Sequence, residues 1–126
     1  MKSPFTVLVV DDYSNFLTSM VDLLEEKGLN CHGATNGHDA LRMIDEMKFD
    51  MIFMDVKMPE FDGIATYKEI RKRSQETPIV LMSANEIDAH IMSAIREEMV
   101  AVIDKPLELK QLEKLLSRYQ SIHGER

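Results

Sequence analysis

The sequence predicts an α/β fold in which one parallel sheet is covered by helices on both faces, and three observations carry that reading. Five short β-favouring runs recur at intervals of 21 to 28 residues along the chain. Four of the five are nearly continuous apolar blocks, the pattern of strands buried on both sides rather than on one. The segments between them carry apolar residues at helical spacing, and strands alternating with helices at this period build parallel sheets with right-handed crossovers.

The first run is Val7 to Val10. A helix follows through Phe16, Leu17, Met20, Leu23 and Leu24, with Ser14 or Asp12 able to cap its start and Gly28 supplying its stop. Leu29 to Cys31 is the weakest run and reads as a sheet edge. The second helix is short, with Ala40, Leu41, Ile44 and Met47 on one side after a turn at Asn36-Gly37. Met51 to Met54 is the third strand. The spacing then predicts a helix from Gly63 to about Arg73, with Ile64, Tyr67 and Ile70 inward and Lys68, Glu69, Arg71 and Lys72 in solvent. Pro78 opens the fourth strand, Ile79 to Met82. A fourth helix is expected over about Glu86 to Glu98, a fifth strand at Val100 to Ile103, and a fifth helix over about Glu108 to Tyr119, with a short tail beyond.

Composition removes several classes of function. At 126 residues, 44% apolar and 29% charged, the chain is one domain and not an intrinsically disordered segment. A single cysteine, Cys31, excludes an internal disulfide, and no paired Cys/His spacing for zinc exists. A reducing cytoplasm is the simplest expectation. The apolar runs fall far short of the roughly 18 residues a membrane span needs, and the N-terminus leads into no signal-peptide pattern. A formal charge of -7 argues against direct nucleic-acid binding. Much of that charge serves solubility, so the point of interest is where it is concentrated.

Open parallel sheets place their sites beyond the carboxyl ends of the strands. Asp11-Asp12 follow the first strand, Asp55 the third and Ser83 the fourth, and Lys105-Pro106 follow the fifth. Each alone reads as a cap, a turn residue or surface. Together they bring three carboxylates, a hydroxyl and an ammonium to one edge. Grouped carboxylates repel unless a cation compensates. Oxygen donors favour a hard divalent ion, and Mg²⁺, which keeps waters and recruits phosphate oxygens, suits the set better than zinc.

These residues resemble the receiver domain of two-component response regulators. The resemblance rests on Val9-Val10-Asp11-Asp12, on Met54-Asp55-Val56-Lys57-Met58-Pro59 with Asp62-Gly63, on Ser83-Ala84 and on Lys105-Pro106, all in order. It implies strand order 2-1-3-4-5, a receiver over residues 4–120 and a tail over 121–126. It further implies that Asp55 is the phosphoacceptor, served by a sensor histidine kinase or a histidine phosphotransfer protein. Mg²⁺ would be held by Asp11, Asp12, Asp55 and the Lys57 backbone carbonyl. Lys105 and Ser83 would contact phosphoryl oxygens, and a downstream protein target would read the result. The chain would then be no enzyme beyond its own phosphorylation and dephosphorylation. Lys57 and Asn85 stand where the family tunes water access to the acyl phosphate, so Lys57→Ala is expected to change its lifetime and leave uptake largely intact.

Two positions depart from the family pattern. Val102 stands three residues before the lysine, where an aromatic is usual, and Glu98-Met99 replace a common Gly-Ala turn. Output is therefore expected through Ser83 and the loop after it, or through phosphoryl relay. A stand-alone receiver is the leading expectation, and one excised from a larger regulator or hybrid kinase is the alternative. A phosphatase of the haloacid dehalogenase type needs an acid two residues after its nucleophile, and Lys57 is there instead. The four histidines and ten methionines read as structural.

Overall fold

The apolar blocks are the strands of one sheet, and among the described residues helices pack on both of its faces. A computed structural model of the chain describes residues 5–58, 61–74, 76–83, 100–105 and 108–124. The elements are β1 (Thr6–Val10), α1 (Ser14–Glu26), β2 (Asn30–Ala34), α2 (Gly37–Glu46), β3 (Met51–Asp55), β4 (Lys57–Met58), β5 (Phe61–Asp62), α3 (Gly63–Arg73), β6 (Ile79–Ser83), β7 (Val100–Asp104) and α4 (Leu109–Gly124). Five strands form the main sheet in the order β2-β1-β3-β6-β7, every neighbouring pair parallel. With the two-residue strands set aside, this is the expected order 2-1-3-4-5.

Strand side chains alternate, and the alternation sorts the core into two layers. Val7, Val9, Met51, Phe53, Val80 and Met82 meet Leu17, Met20 and Leu24 of α1 and Leu112, Leu116 and Tyr119 of α4. Leu8, Val10, Ile52, Met54, Ile79 and Leu81 meet Ala40 of α2 and Tyr67 and Ile70 of α3. Val102 lies partly buried against the second layer. The helix expected over Glu86 to Glu98 lies outside the described residues, so four helices stand among them. Asn85, Pro59 and Pro106 also lie outside.

Several local expectations are corrected. Neither Ser14 nor Asp12 caps α1; Tyr13 holds the N-cap position without a side-chain bond, and Ser14 is already helical. The Tyr13 N–H is instead taken by the Asp11 Oδ1, 2.9 Å away. Asn36, read as a turn residue, caps α2 by accepting from the Asp39 N–H at 2.8 Å. β2 runs three residues further than expected, because Gly33 and Ala34 pair with Val9 and Val10. Lys57-Met58 and Phe61-Asp62 pair as a small antiparallel ribbon between the third strand and the helix that follows.

Arg71, expected in solvent, is buried. It lies one turn beyond Tyr67, which turns it toward the core, and there its guanidinium donates to the carbonyls of Thr77 at 2.7 Å and Ser74 at 3.3 Å. The last helix continues to Gly124, into the residues expected as a tail. No proline or glycine interrupts Gln120 to His123, so nothing stops the helix before the glycine.

Candidate functional site

The strand register carries the functional side chains to one edge of the sheet. β1, β3 and β6 lie side by side, so the residues that follow β1 and those that end β3 and β6 sit together. Asp55 is the last residue of β3 and is partnered in register with Met82, one before Ser83. Ser83 in turn pairs with Asp104 of β7. The Lys105 N–H donates to the Ser83 carbonyl at 2.7 Å, which fixes where the lysine side chain departs.

Asp11 is completely buried, and every polar contact it makes orients it. Its N–H donates to the Ala34 carbonyl at 3.0 Å, its Oδ1 accepts from Tyr13, and its Oδ2 accepts from the Lys105 Nζ at 2.5 Å. The same ammonium reaches the Asp55 Oδ2 at 3.3 Å. Asp12 is exposed, yet one oxygen from each of Asp11, Asp12 and Asp55 lies within 4.8 Å of the others. Lys105 also sits over the Phe16 ring, 4.4 Å from its centre.

Among the described residues three carboxylates face one ammonium, and negative charge is left over. Burial works against the charge on Lys105, but its hydrogen bond to Asp11 and the charges of Asp55 and Asp11 outweigh that cost, so its pKa stands above the ordinary lysine value. It stays an ammonium throughout the neutral range. Donors about 2.1 Å from a single Mg²⁺ span at most about 4.2 Å. The three carboxylates are already near that spread, and all are oxygen ligands. The set fits a hard cation with water completing its shell.

A family profile described as the response regulator receiver domain matches residues 7–117. The chain belongs to the response regulator receiver family. Among curated relatives, the transcriptional regulatory protein ZraR of Salmonella typhimurium is 35% identical over 118 residues, covering 94% of this chain and 27% of that protein. The signal transduction histidine-protein kinase BarA of Escherichia coli is 31% identical over 98% of this receiver and 14% of its own length. The chain therefore spans about a quarter or less of these relatives. Among solved structures, the chemotaxis protein CheY4 of Vibrio cholerae superposes with a TM-score of 0.84 at 26% identity, covering 93% of this chain and 99% of that one. The response regulator TrrA of Thermotoga maritima, solved with Mg²⁺ and beryllofluoride, gives 0.78 at 27% identity, covering 94% and 99%.

Of the residues singled out in the sequence, Asp11, Asp12, Asp55 and Lys105 come together as a cluster. Ser83 is buried and adjoins it through the backbone. Lys57 opens β4 two residues after Asp55. Phe16 was legible only as a helix-face residue, since nothing in its spacing signals a lysine 89 positions away. Among the described residues no helix is long and apolar enough to cross a membrane.

Proposed function

We propose that this receiver takes a phosphoryl group onto Asp55 from a phosphohistidine of a sensor histidine kinase or histidine phosphotransfer protein. The observation that carries the reading is the single Lys105 ammonium shared between Asp11 and Asp55, with Asp12 alongside and negative charge left over. An Asp55 carboxylate oxygen forms the new P–O bond as the P–N bond to the donor imidazole breaks, and the imidazole keeps the electron pair. Asp11, Asp12, Asp55 and the Lys57 carbonyl would hold Mg²⁺, which when bound neutralises phosphoryl charge. Lys105 stands ready as a cation for a phosphoryl oxygen. The Ser83 hydroxyl would meet another, so the loop that follows can report the modification.

Output by this reading is contact with a downstream protein, with no direct nucleic-acid binding, in the cytoplasm. The chain catalyses only its own phosphorylation and dephosphorylation. The length of the ZraR and BarA relatives beyond the match favours a second reading, a receiver within a larger regulator or hybrid kinase. An immunoblot of the native protein's mass separates the two.

The direct test is incubation with a small phosphodonor and Mg²⁺ followed by intact mass. A gain of one phosphoryl group, lost in Asp55→Asn, is expected. No gain in the native chain overturns the proposal.

A further inference from the structure

Lys105 has three partners among the described residues: two carboxylates and a ring. The Phe16 ring lies in the first turn of α1, half-buried, and the ammonium sits over it at 4.4 Å. The lysine side chain is only 17% exposed, so the contact is mostly withdrawn from water, where an ammonium is drawn more strongly to an aromatic face. Phe16 also packs against the core layer beneath α1. Leucine would serve that packing nearly as well, but it has no electron-rich face to offer a cation.

The two carboxylates that hold Lys105 are also donors a divalent ion would use. The ring is the one partner that such an ion does not compete for. A lysine is a flexible point charge on a long stem, and its value to a phosphoryl group depends on its being held in place.

We infer that Phe16 is a positioning residue: its ring seats the Lys105 ammonium beside Asp55, so that the charge stays in place when the carboxylates have other partners. The inference rests on the phosphoacceptor reading of Asp55. It goes beyond that reading in giving α1 a part in the chemistry through a residue that never touches the phosphoryl group.

Uptake from a small phosphodonor at saturating Mg²⁺ is followed by intact mass for the native chain, Phe16→Leu, Phe16→Tyr and a chain with trifluorophenylalanine at position 16. The fluorinated ring keeps its shape and loses most of its attraction for a cation. In parallel, NMR of the protein without phosphodonor reads the upfield ring-current shift of the Lys105 Cε protons.

The expected result is a rate about threefold to tenfold lower for Phe16→Leu and for the fluorinated ring, with Phe16→Tyr restored to near the native rate. The ring-current shift is expected in the native protein and absent in Phe16→Leu. Equal rates for native, Phe16→Leu and fluorinated chains, or a native spectrum without the shift, overturn the inference. Where Phe16→Leu fails to fold, the fluorinated chain decides. Absence of uptake in the native chain removes the phosphoacceptor reading and this inference with it. Normal uptake that is indifferent to the ring removes this inference alone.

Discussion

At the scale of single residues, burial sets the chemistry each group can do. Cys31 is the plain case. Burial first, and the charge of Glu25 second, push its thiol up to about 12. At neutral pH its thiolate is then about a thousandfold scarcer than that of an ordinary cysteine, so the native protein is expected to react very slowly with a disulfide reagent. Unfolding in urea should release the normal rate. The linkage has a definite sign: above the ordinary thiol value the unfolded chain loses this proton while the folded chain keeps it, so stability falls as pH rises. Urea midpoints compared at about pH 8 and about pH 10 should show a smaller drop in Cys31→Ala than in the native chain. Asp11 shows the opposite use of burial. It is wholly enclosed, yet its two carboxylate oxygens accept from the Tyr13 N–H and the Lys105 ammonium.

At the scale of elements, two connections depend on backbone groups that find unusual partners. The first closes α1. Gly28 has φ 86°, and its N–H donates to the Glu25 carbonyl while the Leu29 N–H donates to that of Leu24, so the chain turns sharply from helix to β2. An added Cβ there would meet nothing within 4 Å. Gly28→Ala is accordingly expected to cost about 1 kcal/mol from backbone conformation alone, measured as a shift in urea midpoint. The second joins α3 to β6. Arg71 ties the end of the helix to the Ser74 and Thr77 carbonyls and lies 5.5 Å from the Tyr67 ring. Arg71→Ala should destabilise by about 2 to 3 kcal/mol, against about 0.5 kcal/mol for its exposed neighbour in Lys72→Ala. Equal effects at the two positions would show that the buried contacts contribute nothing.

At the scale of the whole molecule, the sheet is the device that makes the site. Three carboxylates gathered without sufficient counter-charge should make the fold more stable when a cation fills the deficit. Mg²⁺ at about a hundred times its Kd is expected to stabilise the native chain by about 2.7 kcal/mol, seen as a rise in the unfolding midpoint. Asp12→Asn should lose most of that rise. It also removes one of three mutually repelling carboxylates, so stability without Mg²⁺ should rise slightly. An equal rise in both chains would remove Asp12 from the cation site.

The sequence by itself determined the five strands of the main sheet, their order once the receiver resemblance is joined to the alternation, and which charged residues gather at one sheet edge. It could do so because a strand buried on both faces has to be apolar throughout, and because Asp11, Asp12, Asp55, Ser83 and Lys105 each stand beside such a block. Only the tertiary structure decided matters that depend on who meets whom across the chain. Arg71 reads as solvent-facing until the Ser74 and Thr77 carbonyls are seen to accept from it. Asp12 reads as a helix cap until Asp11 is seen to take the Tyr13 N–H instead. Phe16 reads as helix packing until Lys105 is seen above its ring. Periodicity reports whether a residue faces inward, but a buried charge is stabilised by particular partners at particular distances, and those exist only once the fold has closed.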